Sequence, residues 1–141
     1  MTLLIGVTDD LETCLHLRRV VFMDEQNVPE ADERDGRDGD AVHLLARKDG
    51  IAVGCARILR MGDTGKIGRV CVLPGWRGTG LGRALILACL DVLRAEGMAR
   101  AKLGAQVHAL GFYERLGFVA EGPVYDDAGI AHRDMVRDLR A

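Results

Sequence analysis

The chain reads as an α+β fold, a mostly antiparallel mixed sheet with one parallel, splayed strand pair and helices on both faces. Three observations carry that class. Short strand-like apolar runs recur from Leu3 to Asp138, and Lys48-Asp49-Gly50 joins two of them with the Asp-Gly pair of a hairpin turn. A long amphipathic helix separates two others, and strands joined by a helical crossover run parallel.

The elements follow in order. Leu3 to Val7 predicts a first strand, and Asp9 or Asp10 caps a helix with Leu11, Leu15, Leu17, Val20 and Val21 on its apolar face, ending near Gln26. An acidic loop containing Pro and Gly runs from Asn27 to Asp40. Ala41 to Arg47 and Ile51 to Leu59 form the hairpin, and Gly65 to Leu73 is the next strand. Leu81, Ala84, Leu85, Ala88, Cys89, Val92 and Leu93 then recur at i, i+3, i+4 spacing. They make one buried face of a helix, with Gly97 where a C-terminal cap belongs. Ala101 to Ala105 is the strand beyond it. A helix over Val107 to Leu116 stops at Gly117, and strands at Phe118 to Glu121 and His132 to Asp138 finish the sheet.

Composition bounds the function. A chain of 141 residues suits one domain, here 1–141, that buries roughly two thirds of its unfolded surface. With 48% hydrophobic and 28% charged residues it falls in the range of folded water-soluble domains, not disordered ones. The longest apolar run, Ala84 to Leu90, is far short of the roughly 20 residues of a membrane span, so no membrane role is expected. The start, Met1-Thr2-Leu3-Leu4-Ile5, lacks a basic leader and soon meets Asp9-Asp10, so a cytoplasmic protein is expected. A net charge of −2 without a basic stripe argues against nucleic acid. Cys14, Cys55, Cys71 and Cys89 are widely spaced within apolar patterns and read as buried free thiols. His16, His43, His108 and His132 show no paired ligand spacing, so no metal site is expected.

The densest information lies where Arg69-Val70-Cys71-Val72-Leu73 and Pro74-Gly75-Trp76 lead into Arg77-Gly78-Thr79-Gly80-Leu81-Gly82 at the start of the long helix. The first amides of a helix lack intrahelical partners and sit at the positive end of its dipole, so they bind phosphate oxygens without a cationic side chain. Glycines let the ligand approach the main chain closely. A Walker loop is absent, and the dinucleotide fingerprint fails because its third glycine comes one residue early, at Gly82. The stretch resembles the acetyl-CoA motif of the GNAT acyltransferases, Arg/Gln-x-x-Gly-x-Gly/Ala, at every fixed position from Arg77 to Gly82. In that family a Val-x-Val strand closed by Pro precedes the motif, as Val70, Val72 and Pro74 do here, and its backbone pairs with the pantetheine arm.

A second segment agrees. Tyr113, Gly117 and Phe118 resemble the family's Tyr-x-x-x-Gly-Phe element, with Gln106 and Ala109 where members usually carry Asn and Ala. The resemblance spans residues 41 to 121. Val21-Phe22, Asp24-Glu25-Gln26-Asn27, Val124-Tyr125 and Gly129-Ile130-Ala131-His132 resemble the small single-domain ElaA-like branch. The resemblance implies the GNAT-type fold, acetyl-CoA as acyl donor, a small-molecule or peptide primary amine as acceptor, and direct attack without a covalent enzyme intermediate. It implies cofactor contacts from Val70, Cys71, Val72, Arg77, Gly78, Thr79, Gly80, Leu81, Gly82 and Gln106, an oxyanion donor in the amide of Val72 or a neighbour, and Tyr113 as proton donor to the CoA sulfur. A non-catalytic acetyl-CoA sensor and a simple phosphate-binding protein are the alternatives.

The base is open. Many members carry a glutamate on the strand before the motif, but Gly68 and Arg69 stand there. Glu25 is the first substitute, His43 the second, with a water relay as the third, and His132 is a further pocket candidate. Between Asp24 and Asp40 eight acids face only Arg34 and Arg37. Such a run is either a solvated loop or a field that concentrates a cationic acceptor. Edge strands near the C-terminus are compatible with a homodimer.

Overall fold

Backbone chemistry at Asp49-Gly50 sets the first hairpin. In the computed structural model, which describes residues 2–140, both residues have positive φ (51° and 85°), as a type I′ turn requires. They join β2 (Val42–Lys48) to β3 (Ile51–Met61), and β1 (Leu3–Thr8) lies antiparallel on the outer side of β2. β4 (Thr64–Val72), β5 (Arg100–Gln106), β6 (Val119–Asp127) and β7 (Ile130–Asp138) complete a seven-stranded sheet of order β1-β2-β3-β4-β5-β7-β6. Every neighbouring pair is antiparallel except β4 and β5. That parallel pair holds only across Thr64–Lys66 and Arg100–Lys102, beyond which the strands part.

The first helix, α1 (Leu11–Arg18), is capped by Asp10 rather than Asp9. Its carboxylate accepts from Thr13 N at 3.1 Å and Thr13 Oγ1 at 2.7 Å. The helix then widens into a π-turn over Arg19–Glu25, where Gln26 N–H donates to Val21 O at 3.2 Å. A one-turn helix, α2 (Glu30–Glu33), lies within the acidic loop. The long helix, α3 (Leu81–Ala95), buries Leu81, Leu85, Ile86, Cys89, Leu90 and Leu93 against Val53, Ile58, Ile67, Leu103 and Met135. Each such aliphatic side chain contributes about 1.5–3 kcal/mol on leaving water. On the other face Cys14, Leu17 and Val21 pack on Leu45, Cys55 and Cys71. Helices therefore cover both faces, as expected. No described helix is long and apolar enough to cross a membrane.

Two elements differ from the sequence expectation. The helix expected over Val107 to Leu116 is a 3₁₀ turn (Val107–Ala109) followed by α4 (Leu110–Glu114), with Gly111 weakening its interior. β6 continues to Asp127 instead of ending at Glu121, and β7 begins at Ile130. Gly122-Pro123 read as loop, yet β6 is an edge strand with a bulge between Glu121 and Tyr125, where proline is tolerated.

Candidate active site

The parting of β4 from β5 opens a cleft, and a bulge in β4 shapes its wall. Arg69 has φ 51°, and the β3–β4 register slips between the pairs Cys55–Cys71 and Arg57–Gly68. Leu73 N–H donates back to Val53 O at 3.0 Å. Strand alternation therefore directs the polar groups of Val72 the other way, into the cleft, where Val72 O accepts from Arg77 Nε at 3.1 Å. Val72 N–H points the same way, toward the side on which β5 no longer pairs with β4.

The cradle lies at the head of α3. Gly78 and Gly80 have φ of 77° and 86°, conformations that cost other residues energy, and a Cβ at either would meet only open space. Ala84 is the first amide with a helical acceptor, Gly80 O at 3.0 Å. The amides of residues 78–83 make no hydrogen bond among the described residues. Thr79 Oγ1 donates to Trp76 O at 2.5 Å and holds the turn. The side chain of Arg77 does not enter this nest. It forms a two-pronged pair with Glu25, at 2.6 and 2.7 Å, which fastens the cradle to the end of the π-turn.

The cleft has two arms. One, of about 510 Å³, lies beside Glu25, Cys71, Val72, Arg77 and His108; the other, of about 320 Å³, beside Arg69, Gly104, Tyr113, Tyr125, Asp127 and His132. Gln26, Val70, Gln106 and Ile130 line both and mark their junction. Gln106 Nε2 donates to Gln26 Oε1 at 3.3 Å, and Gln106 Oε1 lies 2.7 Å from His108 Nε2, so the amide bridges β5 and the π-turn. Tyr113 is half-buried, edge-on to Phe112 and Phe118, and burial with the nearby Cys89 pushes its phenol up to about 12. Cys71 lines the same arm as Val72, but its thiol sits 3.3 Å from Cys55 Sγ in the α1-side core.

Glu25, the first candidate base, is paired with Arg77, and that hydrogen bonding holds its carboxyl below its ordinary range. The acidic loop is solvated only in part: Asp24, Glu30, Asp32 and Asp40 are exposed, while three other acids are held by arginines. Glu33 is buried against Arg18, Asp38 reaches Arg18 at 2.8 Å and Arg57 at 3.2 Å, and Asp35 grips Arg57 at 2.8 and 2.9 Å. Arg69 donates to the backbone oxygens of Asp32 and Glu33, both at 3.1 Å. Three of the acids are thus neutralised by arginines from α1, β3 and β4. His43 is taken up by the same structure, 2.9 Å from Asp38 O, and does not line the cleft.

Sequence reasoning missed Gln26, Tyr125, Gly104 and Ile130 as cleft residues. The pairing of β5, β6 and β7 reveals the last three and the side-chain bond to Gln106 reveals Gln26, and no residue spacing encodes either.

A splayed parallel pair with a glycine cradle on the helix between its strands defines the acyl-CoA N-acyltransferase fold. The Acetyltransferase (GNAT) domain model matches residues 12–139. ElaA of Escherichia coli K12 is 37% identical over 134 residues, covering 92% of this chain and 88% of that protein. The ElaA crystal structure superposes with a TM-score of 0.87 over 97% of this chain and all of that one, at 33% identity. An acyl-CoA N-acyltransferase from Pseudomonas aeruginosa gives 0.88 at 34% identity, over 96% of this chain and 99% of that one. The PaiA N-acetyltransferase of Thermoplasma acidophilum, solved with coenzyme A, shares the fold at 18% identity, with a TM-score of 0.75 over 98% of this chain and 99% of that one. The chain belongs to the GNAT acetyltransferases, among their small ElaA-like members.

Proposed function

We propose that the protein transfers the acetyl group of acetyl-CoA to a primary amine by direct attack. One observation carries the reading: the six successive amides of residues 78–83 have no partner among the described residues, and Arg77, which opens that turn, lines one arm of the cleft together with Val72. Acetyl-CoA, when bound, supplies an acetyl group activated as a thioester. The amides of Gly78, Thr79, Gly80, Leu81 and Gly82 bind its diphosphate, a role that fits their orphaned donors and open approach. Val70, Cys71 and Val72 offer backbone to the pantetheine, and Gln106 offers its amide. Val72 N–H donates to the thioester oxygen, where negative charge develops during attack. Tyr113 donates a hydrogen bond to the departing sulfur. Arg77 works through its pair with Glu25 and its bond to Val72 O, positioning the loop rather than neutralising phosphate.

In this reading the arm beside Cys71 and Val72 takes the donor and the arm beside Tyr113 and His132 the acceptor, so the acyl group belongs at Gln26, Val70, Gln106 and Ile130, which line both. The experiment is calorimetry with acetyl-CoA, followed by incubation with an amine panel while free thiol and product mass are read. Micromolar binding, thiol release that depends on an amine, and a matching acetylated product are expected. Absence of binding overturns the reading. Binding without turnover across the panel converts it to a sensor.

A further inference from the structure

We infer that His132 is the general base of this acyl transfer, an assignment that rests on the function proposed above. His132 is on β7 directly opposite Gln106 of β5 on one side and Tyr125 of β6 on the other. Directly paired residues share a sheet face, so the imidazole stands beside the amide that marks the junction of the two arms. It lines the acceptor arm.

Its proton is assigned by its partner. Nδ1 lies 2.8 Å from Ile130 O, and a carbonyl can only accept, so Nδ1 carries the hydrogen. Nε2 therefore keeps its lone pair for the cleft. The ring is held in that attitude from the other side: Tyr125 stacks on it at 6.0 Å with 23° between the planes. Tyr125 is fixed in turn, because its hydroxyl donates to Asp134 Oδ1 at 2.8 Å and it lies across Gly104, where any Cβ would overlap the phenol oxygen. Histidine Nε2 with an oriented Nδ1–H is a common arrangement for proton acceptance near neutral pH. Glu25 is paired and His43 lies outside the cleft, so His132 is the histidine of the acceptor arm.

The proton balance closes. The acceptor arrives as R–NH3+, and Nε2 takes one proton. The nitrogen lone pair then attacks the thioester carbon, a C–N bond forms, and the C–S bond breaks with its electron pair leaving on sulfur. The second proton passes from nitrogen to sulfur, and the third stays on the amide. The imidazolium returns its proton to water.

The test compares the wild type with His132→Gln and His132→Asn from pH 6 to 10, using one alkylamine that the wild type acetylates. The amine is largely charged throughout that range, with a pKa of about 10.4. Both variants should lose roughly 10²-fold or more in kcat/KM at neutral pH. The deficit should shrink as pH rises, because the amine then deprotonates without help. Acetyl-CoA affinity should stay within about twofold, which also verifies folding. Other ionisable groups that line the same arm are Tyr113 on α4, Tyr125 and Asp127 on β6, Lys66 and Arg69 on β4, and Asp32 and Glu33 on α2; Asp134 holds the Tyr125 hydroxyl, and His108 lies beyond Gln106. None is altered in the variants. A variant that turns over within threefold of wild type, or a deficit constant across pH, overturns the assignment of the base while leaving the acetyltransferase reading intact. A wild type without amine-dependent thiol release overturns the function itself.

Discussion

Replacing Tyr113 by Phe removes one oxygen from the cleft and leaves the ring packed on Phe112 and Phe118. The phenol, pushed up to about 12 by burial and Cys89, is a weaker acid than a free tyrosine. Complete proton transfer to a thiolate with a pKa of about 8.5 would cost about 3.5 units, or about 4.8 kcal/mol. On the proposed function the hydroxyl therefore acts by donating a hydrogen bond to the sulfur as negative charge builds there. Such bonds to charged groups contribute about 1.5–3 kcal/mol, a roughly 10- to 150-fold loss of kcat in Tyr113→Phe. The ratio of wild-type to variant rates should stay flat between about pH 6 and 9, because the phenol remains protonated throughout. Thiol release under saturating acetyl-CoA, with binding checked by calorimetry, measures it. A variant within twofold of wild type, or a ratio that falls steadily over that range, refutes the argument.

Three further outcomes are expected. Glu25→Gln should keep turnover within about fivefold and unfold at most about 1 kcal/mol more easily, since its partner is a surface arginine; a 10²-fold loss of kcat would restore it as a base. Gly80→Ala forces a side chain into φ 86° and should cost about 1–2 kcal/mol of stability in urea. It should also weaken acetyl-CoA binding at least 10-fold, and unchanged affinity would remove the cradle from the site. Asp35 and Asp38 make stability pH-dependent. Arg57 holds Asp35 well below the carboxylate range; burial pushes Asp38 up, but Arg18 and Arg57 outweigh it and bring it down. Carboxylates depressed on folding stabilise above their unfolded pKa of about 3.9, and that contribution is lost as pH falls through the folded value. Urea midpoints should therefore hold from pH 7 to about 5 and drop below about 4, and Asp35→Asn should drop less steeply from a lower start.

Local signals were legible in the sequence and long-range ones were not. Asp49-Gly50 dictates its own turn, and the periodicity from Leu81 to Leu93 needs only one helix to be read. The same holds for the cradle, whose orphaned amides follow from its place at the head of α3. Tyr113, singled out by its resemblance to the Tyr-x-x-x-Gly-Phe element, lines the cleft. By contrast, Arg18 meets Asp38, Arg57 meets Asp35, and Tyr125 crosses Gly104 only after separate elements pack together. A run of acids carries no mark that says which of its members an arginine from another strand will claim. Gly122-Pro123 hid the strand that carries Tyr125 for a related reason: a proline argues against a strand only if that strand has neighbours on both edges.

The arginine cluster and the open cleft are linked through one residue. Arg69 is the bulged residue of β4, and that strand, parted from β5 after Lys66, leaves its Val70–Val72 edge unpaired on that side. A non-glycine residue at φ 51° costs about 1–3 kcal/mol and persists only where its surroundings over-determine it. Here the surroundings are the backbone oxygens of Asp32 and Glu33, which Arg69 holds, and Glu33 is itself fixed by the buried Arg18. Breaking a buried pair of that kind costs about 3–5 kcal/mol, more than the strain it opposes. The acidic loop thus bears on the cleft through geometry: its backbone oxygens, with the Asp35 carboxylate at 3.5 Å, hold Arg69 at the bulge that shapes the cleft wall.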